Sequence, residues 1–131
     1  MPRRNIRIQS ISDTLVFAQS IREKNQEHVV GLYLSARTDL LHVQTISIGS
    51  LNQNILTARD VFAPAFTRAC CAVILIHNHP SGDPSPSQED IAVTERLSQA
   101  GKYLGIQILD HIIVSKNTHF SFREKGLLDD P

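Results

Sequence analysis

Cys71-Ala72-Val73-Ile74-Leu75-Ile76-His77-Asn78-His79-Pro80-Ser81-Gly82-Asp83-Pro84-Ser85-Pro86-Ser87-Gln88-Glu89-Asp90 is the stretch that decides the fold. Its opening residues form a short, continuous apolar run rich in β-branched side chains, which reads as a buried strand. If the strand continues past Ile76, side chains two apart share a face, so His77 and His79 point the same way. Pro80 then stops it, because proline brings no N–H to the ladder. Gly82, Asp83, Pro84 and Pro86 mark a tight irregular loop. Ser87 suits the N-cap of a following helix and puts Asp90 in that helix's first turn.

His77, His79 and Asp90 thus form a three-ligand set for a divalent metal, held at a strand end and a helix start. Imidazole and carboxylate both suit zinc, and three protein ligands leave a fourth position for water, the pattern of a catalytic site. Plainer readings stand beside this one. Ser87 and Asp90 resemble a capping box with Asp in place of Glu or Gln, and an acid in the first turn also suits the helix dipole. A single histidine at a strand end is usually only hydrogen-bonded. The combination, more than any one residue, favours the metal.

Outward from this stretch the chain alternates helical and extended patterns. Ile11, Leu15, Ala18 and Ile21 recur at helical spacing behind Ser12 and Asp13, which predicts an opening helix to about Lys24. His28–Ala36 and Leu40–Ile48 read as two strands joined by a hairpin turn at Arg37-Thr38-Asp39. Gly49–Asn54 is a polar loop. Thr57, with Asp60 three residues on, starts a second helix that Pro64 should bend or restart. In the helix after Ser87, Ile91, Thr94, Leu97 and Leu104 lean toward a core, and Gly101 and Gly105 punctuate its end. Gln107–Ser115 and His119–Phe122 give two last strands. The expected class is α/β, a mixed sheet flanked by helices.

At 131 residues, the expectation is one domain over the whole chain with a single core. Hydrophobic residues make up 41% and charged residues 20%, which argues against disorder. Thirteen basic and thirteen acidic side chains cancel, so a broad polyanion-binding face is not expected. No apolar run reaches membrane-span length and no secretory signal pattern opens the chain, which makes cytoplasmic the expected location. Cys70 and Cys71 are adjacent, which disfavours a bond between them, and they read as small core residues. Arg3, Arg4 and Arg7 read as a solvated terminus.

His77-x-His79-Pro80, six residues, Ser87, two residues, Asp90 resembles the signature of the JAMM (MPN-plus) metalloprotease superfamily. The wording His-Asn-His-Pro-Ser-Gly-Asp-Pro is similar to its bacterial RadC-like branch. Asn52–Phe62, ending Ala58-Arg59-Asp60-Val61-Phe62, and Leu109-Asp110-His111-Ile112-Ile113-Val114 extend the likeness over roughly residues 20–127. The resemblance implies a three-layer fold like that of the cytidine deaminases. It also implies zinc held by His77, His79 and Asp90, and hydrolysis of a peptide or isopeptide bond. Glu27, heading the first expected strand, matches the place of the family's catalytic glutamate. Ser87 matches the serine that assists the oxyanion, a task compatible with capping because a hydroxyl both donates and accepts. The helix-hairpin-helix-type region that usually precedes such a domain has no counterpart in these residues.

Asp110 offers a carboxylate to orient a metal-binding histidine, although a structural hydrogen bond with His111 is the simpler reading. The literal His-Asn-His resembles an HNH nuclease, but the order of its elements is reversed here. A zinc deaminase would need His-x-Glu and Pro-Cys-x-x-Cys, which are lacking. The remaining rival is a non-enzymatic interaction module of a RadC-like protein associated with DNA repair. The expected partner is an unidentified protein or peptide substrate, with nucleic acid and membrane disfavoured and a homo-oligomer left open.

Overall fold

The apolar run is a strand buried along its whole length. In the structure, a computed structural model describing residues 6–49 and 56–128, it spans Ala72–Asn78 (β3) and forms the centre of a five-stranded sheet. The other strands are His28–Leu34 (β1), Leu40–Ile48 (β2), Gln107–Val114 (β4) and His119–Ser121 (β5), in the order β2-β1-β3-β4-β5. Only β3 and β4 pair in parallel. Their crossover is a 17-residue helix, Gln88–Leu104 (α3), as a parallel pair requires. Two short helices, Ile11–Leu15 (α1) and Ala58–Phe62 (α2), complete the set. The expected α/β mixed sheet with flanking helices is what the chain forms.

Alternation along β1 and β3 splits the core in two. Val29, Tyr33, Val73 and Leu75 face α2 and α3, meeting Phe62, Val93 and Leu97. Val30, Leu32, Ile74 and Ile76 face the other way and are covered by Ile8, Ala18 and Ile21. These are the three layers. No helix among the described residues is long and apolar enough to cross a membrane.

Several boundaries differ from the sequence expectation. The opening helix stops at Leu15 and passes into a 3-10 turn, Val16–Ala18, without reaching Lys24. Ile21 N–H donates to the Ala18 carbonyl and Lys24 N–H to that of Ile21. Apolar residues three apart fit such i→i+3 turns as well as they fit a helix. The β1–β2 turn is longer than three residues: Ser35 Oγ accepts from Arg37 and Asp39 N–H, and Thr38 takes a left-handed φ of 66°. Thr57 caps α2 as expected, and a 3-10 turn carrying Pro64 follows. Cys71 is exposed and Cys70 only half-buried, so Cys71 is not a core residue. The loop expected over Gly49–Asn54 lies, past Gly49, outside the described residues, as do Arg3, Arg4 and Asn52–Ile55.

On α3 the buried stripe is Asp90, Val93, Thr94, Leu97 and Gly101, whereas Leu104 is 46% exposed. Gly101 does not end the helix, a role that falls to Gly105 with φ 72°. A Cβ at Gly101 would collide with the Ile106 carbonyl oxygen and lie 3.2 Å from the Phe62 ring. Gly→Ala inside a helix ordinarily stabilises by roughly 1 kcal/mol. Here the sign should reverse. Gly101→Ala is expected to cost about 1–3 kcal/mol as an overpacking change, read as a lower denaturant midpoint at unchanged slope.

Candidate metal centre

The parallel ladder continues one residue past β3, because His79 N–H donates to the Val114 carbonyl at 2.8 Å. His79 therefore stays in register with His77, and the two rings meet edge to face at 4.8 Å. On the other side Val29 pairs with His77 in antiparallel register, and Glu27 lies two residues before Val29, just ahead of β1. Glu27 Oε1 accepts from His77 Nε2 at 2.7 Å and lies 3.8 Å from His79 Nε2. One ligand atom from each of Glu27, His77 and His79 lies within 4.8 Å of the others.

Asp90 arrives from α3, in the helix layer packed on the same face of the sheet. Ser87 Oγ accepts from Asp90 N–H, and Asp90 Oδ2 accepts from Ser87 N–H at 2.8 Å, so the capping box is complete with Asp in the third position. The same Oδ2 is 3.1 Å from His79 Nε2, and Oδ1 is 3.8 Å from His77 Nδ1. Capping and proximity to the histidines are thus properties of one carboxylate. Burial pushes the Asp90 carboxyl upward, but the hydrogen bonds from His79 and Ser87 outweigh it and hold the pKa at about 2. The hydrogen bond to Asp90 in turn raises the pKa of His79 against the effect of burial.

His79 Nδ1 is 2.9 Å from the Asp83 carbonyl, which can only accept, so Nδ1 carries a proton. A neutral His79 therefore turns the Nε2 lone pair toward Glu27 and Asp90. That is the tautomer a metal needs, fixed by a backbone carbonyl. His77 differs: its ring is wholly buried and its Nδ1 has no hydrogen-bond partner. Two imidazole nitrogens, an ionised aspartate and a second carboxylate converging at this spacing are a donor set that fits zinc.

Sequence reasoning missed Asn78. Its side chain accepts from His28 N–H and donates to the carbonyls of Gln26 (3.1 Å) and Lys24 (3.4 Å). This buried amide clamps the segment that presents Glu27 to the histidines. Only its place between His77 and His79 hinted at a role, since its partners lie some fifty residues away. Of the two readings of Asp110, the structure shows the simpler one, a structural hydrogen bond with His111, and not the orienting of a metal-binding histidine. Its carboxylate is taken up by Ser121 Oγ (2.6 Å), His111 N–H (2.7 Å) and Arg123 N–H (3.1 Å). It anchors a bulge where β4 slips one residue against β3, between Val73 and Ile74. His111, by contrast, lies beside the site, its ring centroid 5.7 Å from that of His77. Burial and then the nearby His77 drive its pKa down to about 3, so it is neutral.

Glu27, His79, Ser81, Ser87, Glu89 and Asp90 line an open cleft of about 450 Å³. A larger groove of about 630 Å³ lies between α3 and Gly126–Leu128, but its lining holds one acid, one base and no histidine. The chemistry is in the first.

A family model for the RadC-like JAB domain matches residues 8–127. The chain is 52% identical over 108 residues to UPF0758 protein BCB4264_A4572 of Bacillus cereus (strain B4264), covering 82% of this chain and 48% of that protein. It is 51% identical, with the same coverage, to a UPF0758 protein of Bacillus anthracis (strain CDC 684 / NRRL 3495). The chain spans about half the length of the curated relatives it matches.

Proposed function

This chain belongs to the RadC-like JAB domain family, within the JAMM/MPN superfamily, and on that premise we propose that it is a zinc-dependent hydrolase of peptide or isopeptide bonds. The observation that carries this reading is the meeting of His77, His79, Glu27 and Asp90 at the end of an open cleft. His77 and His79 through Nε2, with Asp90, would hold the metal. A divalent cation there supplies Lewis acidity, polarising a carbonyl and bringing the pKa of a water to about 7.

The remaining work falls to the chain's own groups. Glu27, with a side chain 22% exposed, is buried enough to be positioned and open enough to reach a water in the cleft. It takes the proton of the attacking water and passes it to the leaving amine. Ser87 Oγ already accepts from Asp90 N–H, which leaves its hydroxyl proton to donate to the developing oxyanion. One such donor is typically worth ~3 kcal/mol in the transition state. Pro80 and the Asp83–His79 hydrogen bond keep the cleft wall stiff, so little reorganisation accompanies the reaction.

One observation favours a variant of this reading, in which Glu27 and not Asp90 completes the ligand set. Glu27 is the carboxylate that closes the tightest cluster with the two histidines, while Asp90 Oδ2 is also engaged by Ser87 N–H. The rival of another class is a binding module within a longer, DNA-repair-associated protein. A peptide and isopeptide library separates the two classes. Cleavage should disappear on treatment with a strong zinc chelator and return with added zinc. No cleavage by zinc-loaded protein spanning the full length of its relatives would favour the binding module.

A further inference from the structure

His79 has a fixed partner for its outer nitrogen, and His77 has none. Among the described residues two buried ring nitrogens lack a partner, His77 Nδ1 and His111 Nε2, and they belong to neighbouring rings. The ring centroids are 5.7 Å apart with the planes tilted by 32°. Two imidazoles joined by an N–H···N bond have centroids about 5 Å apart, allowing for the usual donor–acceptor distance. The two rings stand somewhat farther apart than that spacing.

Proton bookkeeping shows why the gap is open. Thr94 Oγ donates its one hydrogen to the Asp90 carbonyl at 2.7 Å, so at the 2.7 Å contact with His111 Nδ1 it must accept. His111 is therefore protonated on Nδ1 and presents a lone pair on Nε2. His77 donates from Nε2 to Glu27, which in the neutral tautomer leaves a lone pair on its Nδ1 as well. In those tautomers neither unpartnered nitrogen carries a proton to offer the other. Ligation through His77 Nε2 moves the proton to Nδ1 and turns that atom into a donor. Both orphaned atoms are then satisfied by one bond.

We propose that His111 is a positioning residue for the metal centre, accepting a hydrogen bond from His77 Nδ1–H when His77 Nε2 is ligated. This inference rests on the reading of the cleft as a metal site. The resulting chain runs from His77 Nδ1–H to His111 Nε2, from His111 Nδ1–H to Thr94 Oγ, and from Thr94 Oγ–H to the Asp90 carbonyl. It joins two proposed ligands in adjacent layers of the fold, one on β3 and one on α3. His111 is held for this task by stacking on Phe122, with centroids 4.7 Å apart and planes within 6°. Its N–H donates to Asp110 at the β4 bulge. The competing acceptor is Asp90 Oδ1, 3.8 Å from His77 Nδ1.

The test compares wild type, His111→Phe and Thr94→Val by zinc competition with a chromophoric chelator and by long-range proton–nitrogen NMR of the imidazoles. His111→Phe keeps a flat ring against Phe122 but removes the acceptor. Zinc-loaded wild type should show His77 protonated on Nδ1, with a downfield, slowly exchanging proton. His111→Phe should lose that signal and bind zinc 10- to 100-fold more weakly, the usual cost of losing such a partner. If His111→Phe does not fold, Thr94→Val carries the test, because without the hydroxyl His111 is free to change tautomer and affinity should fall. Unchanged affinity with an unchanged His77 Nδ1–H signal in whichever variant folds assigns the bond to Asp90 and overturns the proposal. A wild type that takes up no zinc overturns the metal site itself, a separate result.

Discussion

Purified wild-type protein should carry about one zinc per chain, and His77→Ala and Asp90→Asn should carry almost none. Three protein ligands are the minimum for a stable open site, so losing one should cost most of the affinity. His77 is the sharper probe because its ring is wholly buried, with Nε2 facing Glu27 and no solvent route to another partner. Asp90→Asn is the cleaner one. It keeps shape and an oxygen to accept from Ser87 N–H, so helix capping survives while the negative charge beside His79 goes. Metal bound to the folded state alone also adds stability, ~4 kcal/mol at a thousandfold excess over Kd. Chelation should therefore lower the Tm of wild type and leave both variants unmoved. One zinc per chain, at wild-type affinity, in either variant would remove that residue from the ligand set.

How far this centre can be read from the chain depends on where each contact lies in sequence. The β3 strand, its stop at Pro80 and the capping of α3 by Ser87 are local events, decided by residues within four positions of each other. They were legible, and so was the mixed sheet. The α1 segment was not, since a spacing of three suits both helix and 3-10 turn and only tertiary contact decides. Arg22 shows that contact, reaching the Ser115 carbonyl at 2.6 Å across the fold. The Asp110 bulge depends on three donors supplied by β4, β5 and Arg123, two residues beyond β5. Asn78 and His111 act through partners 17 to 54 residues away, beyond the reach of any short spacing rule. Glu27 stands between these cases. Resemblance named it, but its place beside His77 and His79 depends on β1 pairing with β3, which no local pattern specifies.

Glu27→Gln should leave zinc content unchanged while lowering kcat by at least 10²-fold, the lower range for losing a general base. The argument turns on what each atom is asked to do. Gln has the shape of Glu and keeps one oxygen, so the hydrogen bond from His77 Nε2 should persist in the metal-free protein, and the Asn78 clamp on the neighbouring backbone with or without metal. It cannot accept a proton. A residue that only moves a proton is therefore lost in function and kept in structure, and KM should change little because the carboxylate does not hold the substrate. If Glu27 instead ligates the metal, as its place in the tightest cluster allows, zinc affinity should fall together with kcat. The two roles thus separate on metal content alone, before any substrate is known. Full activity in a zinc-loaded Glu27→Gln protein would exclude both, and proton transfer would then have to be sought in Glu89, the remaining carboxylate lining the cleft beside Asp90.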